Sequence, residues 1–220
     1  MMLCIADVFD RNETAAIRKR VEALKFVDGR STAGWAARLV KDNEQADPHD
    51  RELAELHRQI EERILVNELF HLAVRPKALT PLMISRYKPG KQYGTHVDDA
   101  LMRGMRTDVS FTLFLAEPET YEGGALVIET VTGEQAFKLA AGSMIVYPSN
   151  TLHRVAPVDS GERLAAVGWA RSFVRSPERR EILFDLETAR RELFDTQGKS
   201  STFDQLSKCS ANLLRMWADD

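Results

Sequence analysis

The chain has 220 residues, 44% of them apolar, and its 30 basic and 33 acidic side chains leave a formal charge of −3. Such a length fits one domain, or one domain with a helical appendage, and the apolar content is ample for one packed core. The near-balance of charge excludes a general phosphate-backbone binder, so no nucleic-acid partner is expected, although one well-placed arginine would still hold a small anion. Cys4 and Cys209 lie far apart and form no C-x-x-C pair. That argues against a zinc ribbon or redox dithiol and for reduced thiols in a cytoplasmic protein. Met1-Met2-Leu3-Cys4-Ile5-Ala6-Asp7 reaches an acidic residue too soon for a signal peptide. No apolar run approaches the roughly 18–20 residues of a membrane span.

Asp10-Arg11-Asn12-Glu13 has the spacing of a capping box, and Ala16, Ile17, Val21 and Leu24 keep helical period behind it, which predicts a helix over 11–24. The stretch 28–47 is polar, with no clear period. A second helix is expected after Pro48-His49-Asp50, with Leu53, Leu56, Ile60, Ile64 and Leu65 on its buried side. From about residue 80 the texture changes to short β-rich runs at 82–87, 109–115, 125–129, 144–147 and 164–173. Pro89-Gly90, Gly123-Gly124, Thr132-Gly133, Ala141-Gly142 and Ser160-Gly161 punctuate them, as in a sandwich or jelly-roll barrel. Two more helices follow Ser176-Pro177, over roughly 178–195 and 202–217. The order is α+β: a helical support region over 1–79, a β core over 80–175 and a helical region over 176–220.

Of five histidines, His49, His57 and His71 fall in or beside the second helix and read as surface or packed residues. His96 and His153 fall in the β core. Residues i and i+2 of an extended chain point to one side, so His96 and Asp98 can converge on one ion. His153 sits where a strand has ended at Pro148 and the next begins. Pro157 to Gly161 reads as the bend of an antiparallel pair, placing Arg163 level with His153 on the neighbouring strand. A strand-borne arginine in a β core needs an anion, and its planar fork suits a carboxylate; a solvated hairpin arginine is the alternative. Two histidines and one carboxylate on one face of an octahedral ion form the facial triad of non-haem iron(II) oxygenases. The open positions would take the ketoacid end of 2-oxoglutarate and dioxygen, with Arg163 on the distant carboxylate. A hydrolytic zinc site could use the same ligands, but it would want a separate base and has no need of a buried arginine.

Ser85-Arg86-Tyr87-x-x-Gly90-x-x-Tyr93-x-x-His96-x-Asp98 resembles the prolyl/lysyl-hydroxylase-like branch of the 2-oxoglutarate dioxygenases. So do Thr112-Leu113-Phe114-Leu115 with Glu122-Gly123-Gly124-x-Leu126, and the run from Gly142 through Tyr147-Pro148-Ser149, His153 and Pro157 to Arg163. The flanks Phe26-Val27-Asp28-Gly29-Arg30 and Asn212-Leu213-Leu214-Arg215-Met216-Trp217 extend the likeness, to bacterial PKHD-type hydroxylases, along nearly the whole chain. The resemblance implies a double-stranded β-helix core flanked by helices, iron(II), 2-oxoglutarate as cosubstrate and L-ascorbate as reductant. It also implies oxidation of a substrate C–H bond, with a link to iron homeostasis. Animal prolyl hydroxylases often set a tyrosine on a core strand beside the arginine. Leu113-Phe114-Leu115 offers none here, which leaves Tyr87 or Tyr93 as the second contact or as plain core aromatics. Arg103 and Arg106 belong to the active-site rim or to a solvated loop. The rival reading is a non-catalytic β-barrel that binds a metal or small anion.

Overall fold

A computed structural model describes residues 1–219. In chain order, β1 (Leu3–Ile5) leads to α1 (Arg11–Glu22), β2 (Phe26–Asp28), β3 (Lys41–Asp42) and β4 (Glu44–Ala46). Then come α2 (Arg51–Val66), α3 (Glu68–Val74), β5 (Pro76–Leu79), β6 (Met83–Tyr87), β7 (Gln92–His96) and the short pair β8 (Leu101–Met102) and β9 (Met105–Arg106). The rest of the β core is β10 (Val109–Phe114), β11 (Tyr121–Gly123), β12 (Leu126–Thr130), β13 (Gly133–Phe137), β14 (Met144–Pro148), β15 (His153–Val155), β16 (Val158–Gly161) and β17 (Arg163–Ser172). A helical hairpin, α4 (Pro177–Gln197) and α5 (Ser201–Trp217), closes the chain.

The capping box forms as read. Asp10 accepts from the Glu13 N–H at 2.8 Å, and the Glu13 carboxylate accepts from the Asp10 N–H at 2.9 Å. Helix α2 buries Leu53, Leu56, Ile60 and Ile64 of the stripe expected of it, and Leu65 is partly buried against them. Asn67 ends α2 and at once caps α3, its side-chain oxygen accepting from the Phe70 N–H at 3.0 Å. His71 therefore sits on α3.

Two antiparallel sheets face each other as a jelly roll. The larger runs β1-β14-β10-β17-β6-β4-β2, with β5 also paired to β17, and the smaller runs β13-β12-β15-β7-β3. Because successive strand residues point to opposite faces, the central strands sort their side chains into two compartments. On β10, Val109, Phe111 and Leu113 pack with Ile17, Val21, Leu56, Ile60 and Phe70 of the helices. Phe114, with Ile145 and Tyr147 of β14, joins Leu126, Ile128 and Val155 between the sheets. The polar residues Thr112, Ser85 and Arg163 share that inner face. The helix-facing compartment is dry and apolar, at roughly 1.5–3 kcal/mol per fully buried large side chain, and it carries most of the stability.

The boundary at residue 79 does not separate helices from sheet, since five strands before it join the two core sheets. The stretch 28–47, polar and without a clear period, contributes two of the pairings nearest the site: β3 pairs β7, with Lys41 opposite Tyr93, and β4 pairs β6, with Gln45 opposite Ser85. One continuous segment thus passes from the smaller sheet to the larger and closes one side of the barrel. Both cysteines are free thiols, and no helix among the described residues is long and apolar enough to cross a membrane.

His57 lies half-buried on α2, its Nε2 without a hydrogen-bond partner, and burial lowers its pKa. The unfolded chain then binds the proton more readily than the folded one, so stability falls as pH drops below the ordinary imidazole value of 6.5. Denaturant titrations should show His57→Gln losing less stability than wild type between about pH 7 and 5. Equal losses would show that His57 charges at no cost in the folded state.

Candidate active site

His96 ends β7 and His153 begins β15, and the ladder sets the two directly opposite each other, with ring centroids 4.3 Å apart. Asp98 lies two residues beyond His96. Its Oδ1 is 4.0 Å from the His96 Nε2 and its Oδ2 is 3.7 Å from the His153 Nε2. The three side chains are nearly buried, and one ligand atom from each lies within 4.8 Å of the others. Each histidine has its Nδ1 fixed by a backbone carbonyl, Gly94 O at 2.8 Å and Thr151 O at 3.0 Å. Those carbonyls accept from Nδ1–H, which leaves each Nε2 lone pair aimed at the common point. Burial, and secondly the neighbouring His153, push His96 down to about 4, so it is neutral at pH 7, the form that ligates a metal.

The carboxylate is held as firmly. The Ser110 hydroxyl donates to the Asp98 Oδ2 at 2.6 Å and lies 2.9 Å from the Ser149 hydroxyl. A hydroxyl has one hydrogen, so with that of Ser110 given to Asp98, Ser149 is the donor between the two serines. Tyr93 stacks on the His96 ring at 3.7 Å, and Tyr147 meets the His153 ring edge-on at 5.1 Å. Two imidazole nitrogens and one carboxylate oxygen, with one side open to a pocket, fit iron(II).

Arg163 opens β17 opposite Tyr87 and is 1% exposed. Its guanidinium carbon lies 5.2 Å from the Tyr87 ring centre and 5.5 Å from that of Phe114, while Nε and Nη1 are buried with no hydrogen-bond partner. Gly124, at φ +63°, makes room for this side chain: a Cβ there would come within 3.2 Å of the Arg163 Cδ and 2.9 Å of Val158. A buried cation with two open donors lacks an anion, and a planar carboxylate fits its fork. Burial raises the Tyr87, Tyr121 and Tyr147 hydroxyls, the pull of Arg163 not offsetting it, so all three are neutral phenols beside the guanidinium.

The approach of Arg163 differs from the expected hairpin. β15 and β17 are not paired: β15 belongs to the smaller sheet, β16 pairs β11, and β17 lies in the larger sheet between β10 and β6. Arg163 and His153 therefore line one pocket from opposite sheets. Tyr87 and Tyr93 both line that pocket, Tyr87 beside Arg163 and Tyr93 beside His96. Arg103, exposed at the tip of the β8–β9 turn, and Arg106 do not line it. Arg106 instead pairs with Asp108 at 2.8 Å and Asp219 at 3.1 Å, tying the last described residue to the core. The sequence reading named Thr112 and Tyr147 as motif residues without giving either a place in the site, and it did not single out the buried trio Lys41, Asn43 and Gln45. The last three recur at every second residue, a period that an apolar-pattern search passes over because the alternating residues are polar.

Jelly-roll fold, facial metal set and buried arginine define the class of iron(II)/2-oxoglutarate oxygenases, oxidoreductases that use both as cofactor and cosubstrate. The 2OG-Fe(II) oxygenase superfamily profile matches residues 82–171, and that of the PKHD-type hydroxylase C-terminal domain matches residues 178–219. The chain is 52% identical to a PKHD-type hydroxylase of Synechococcus sp. (strain JA-2-3B'a(2-13)) and 49% identical to one of Acaryochloris marina, with 100% of both chains covered each time. It belongs to the PKHD-type hydroxylase family. The fold is shared with a Pseudomonas putida prolyl-4-hydroxylase (TM-score 0.53, 22% identity, 78% of this chain and 92% of that one). A viral collagen prolyl hydroxylase from Paramecium Bursaria Chlorella virus-1 is similar in the same way (TM-score 0.52, 20% identity, 78% and 96% covered).

Removing the Ser110 hydroxyl frees Asp98 to turn and leaves a buried carboxylate oxygen without its donor. Ser110→Ala should weaken metal binding by about 10- to 100-fold, the usual effect of losing a group that orients a metal ligand. Competitive titration of Mn(II) against a chelating dye measures it, and unchanged affinity would show that the backbone alone orients Asp98.

Proposed function

We propose that the chain is an iron(II)- and 2-oxoglutarate-dependent hydroxylase in which His96, Asp98 and His153 hold the metal and Arg163 takes the C5 carboxylate of 2-oxoglutarate. What carries this reading is the unpaired guanidinium of Arg163, buried in the same pocket as the three ligands. When bound, iron and cosubstrate supply the oxidising chemistry, which couples decarboxylation of 2-oxoglutarate to oxidation of a substrate C–H. The protein's share is placement. Arg163 fixes the far end of the cosubstrate, and the neutral phenols of Tyr87 and Tyr147 are the hydroxyls positioned to share it. Asp98 offsets metal charge, held in one rotamer by Ser110. Phe114, Leu126 and Val155 keep water from the inner face. L-ascorbate is the reductant we assign. From the family resemblance we also infer that the substrate belongs to iron homeostasis.

Anaerobic iron(II) with 2-oxoglutarate should give a weak visible charge-transfer band, lost in His96→Ala and His153→Ala. Arg163→Ala should keep the metal but lose about 2–5 kcal/mol of 2-oxoglutarate binding, roughly 30- to several-thousand-fold by calorimetric titration. Lysine at 163 should restore only part, since it returns charge without the fork. A folded Arg163→Ala that binds 2-oxoglutarate within a few-fold of wild type would overturn the cosubstrate site. Metal and ligand binding with no succinate formed in air, whatever the added substrate, would favour a sensor over an enzyme.

A further inference from the structure

The pocket holds a second buried cation, and neither the iron nor the 2-oxoglutarate reading uses it. Lys41 is 3% exposed and lines the same pocket as His96, Asp98 and Arg163. Its ammonium carries three N–H donors. Its hydrogen-bond acceptor among the described residues is the Thr32 hydroxyl at 2.9 Å, itself engaged with the Gln45 side chain at 2.6 Å. Among those residues no carboxylate lies within ion-pair distance of it. The ammonium sits 5.2 Å from the Tyr93 ring centre, and the same ring stacks on His96, so two contacts separate it from a metal ligand. A strongly hydrated ammonium is costly to bury without a counter-charge.

Two residues on, Asn43 adds a 3% exposed carboxamide that lines the pocket within hydrogen-bonding reach of the Tyr87 hydroxyl. Alternation along the strand turns Lys41, Asn43 and Gln45 to one side, and all three line the pocket. The wall is therefore a fixed cation flanked by two carboxamides, set on backbone that is paired at both ends, to β7 and to β6. One ammonium balances one negative charge. A carboxylate matches that, with amide N–H groups for its remaining lone pairs, whereas a phosphate dianion would want a second cation.

We propose that Lys41, seconded by Asn43, is the anchor for a carboxylate on the primary substrate, holding it beside the metal on a subsite separate from that of Arg163. This role depends on the iron/2-oxoglutarate reading and extends it to the substrate class: a carboxylic acid, bound through its carboxylate, whose reacting C–H lies within a few bonds of that group. Although burial lowers Lys41 to about 8, with Asp98 and Asp28 working the other way, it remains mostly charged at pH 7.

The test uses the full chain, anaerobic, loaded with Mn(II) and 2-oxoglutarate so that the Arg163 subsite is filled. The probe is carboxyl-¹³C acetate, with carbonyl-¹³C acetamide as its neutral isostere. Paramagnetic relaxation of the ¹³C nucleus by Mn(II) reports both occupancy and distance from the metal. In wild type, acetate should show saturable relaxation and acetamide none. Lys41→Met, neutral and of similar size, should weaken acetate at least ten-fold with Mn(II) and 2-oxoglutarate affinities kept, and Lys41→Arg should retain binding. Acetate and acetamide behaving alike in wild type would overturn the proposal even if the variants failed to fold. So would a folded Lys41→Met matching wild type, or no saturable acetate signal in a wild type that binds Mn(II) and 2-oxoglutarate. If wild type bound neither of those, the reading of the whole site would fall, and this one with it.

Discussion

A guanidinium buried to 1% exposure with two nitrogens unpaired is the constraint that orders the inside of the barrel. Left dry and alone it would be one of the costliest groups in the fold. Its surroundings show what offsets that cost: the π faces of Tyr87 and Phe114, the Tyr87, Tyr121 and Tyr147 phenols, and an open pocket on one side. Position 124 calls for glycine on two counts, its left-handed backbone and the arginine stem that a Cβ there would press on. Tyr147 has its neighbours fixed on both sides, His153 against its ring edge and the charge of Arg163 within reach. The cluster of His96, Asp98 and His153 and the guanidinium of Arg163 come from opposite sheets, so closure of the barrel, and no local hairpin, brings them together.

Much of this was legible in the sequence because the relevant signals are local. The capping box at Asp10, the stripe on α2 and the turn glycines each depend on a few consecutive residues. The His96–Asp98 pair needed only the two-residue period of a strand. What was not legible depends on pairing between distant segments. Arg163 was expected on a strand beside His153, and nothing in Pro157 to Gly161 distinguishes a tight bend from a step across to the other sheet by way of β16. The stretch 28–47 was unreadable for another reason: β3 and β4 are two and three residues long, and the inward side chains of the segment they form with Asn43 are Lys41, Asn43 and Gln45. A strand facing a polar cavity carries its alternation in the wrong alphabet for a search on hydrophobicity. Arg106 shows the converse, a basic residue near the metal motif, read as rim or solvated loop, that is tied up in ion pairs with Asp108 and Asp219.

The arrangement also separates two demands that often conflict. Stability resides chiefly in the helix-facing compartment, where Phe111, Leu113, Ile60 and Phe70 are fully buried. The inner compartment tolerates serines, threonine, an arginine and a lysine because it does not have to hold the molecule together. Strands β10, β14 and β17 serve both by parity alone: one set of alternate residues faces the helices, the other faces the pocket.

The segment that crosses from the smaller sheet to the larger has a consequence for how such a protein diversifies. His96, Asp98, His153 and Arg163 all lie between residues 96 and 163, whereas the polar wall of the same pocket is carried by Lys41, Asn43 and Gln45. On the roles proposed for Arg163 and Lys41, chemistry and choice of guest are written in separate stretches of the gene. Exchange of the short N-terminal stretch between relatives would change what the cavity admits while leaving its oxidising apparatus untouched. New preferences can then arise by swapping one cassette, without passing through a catalytically dead ancestor.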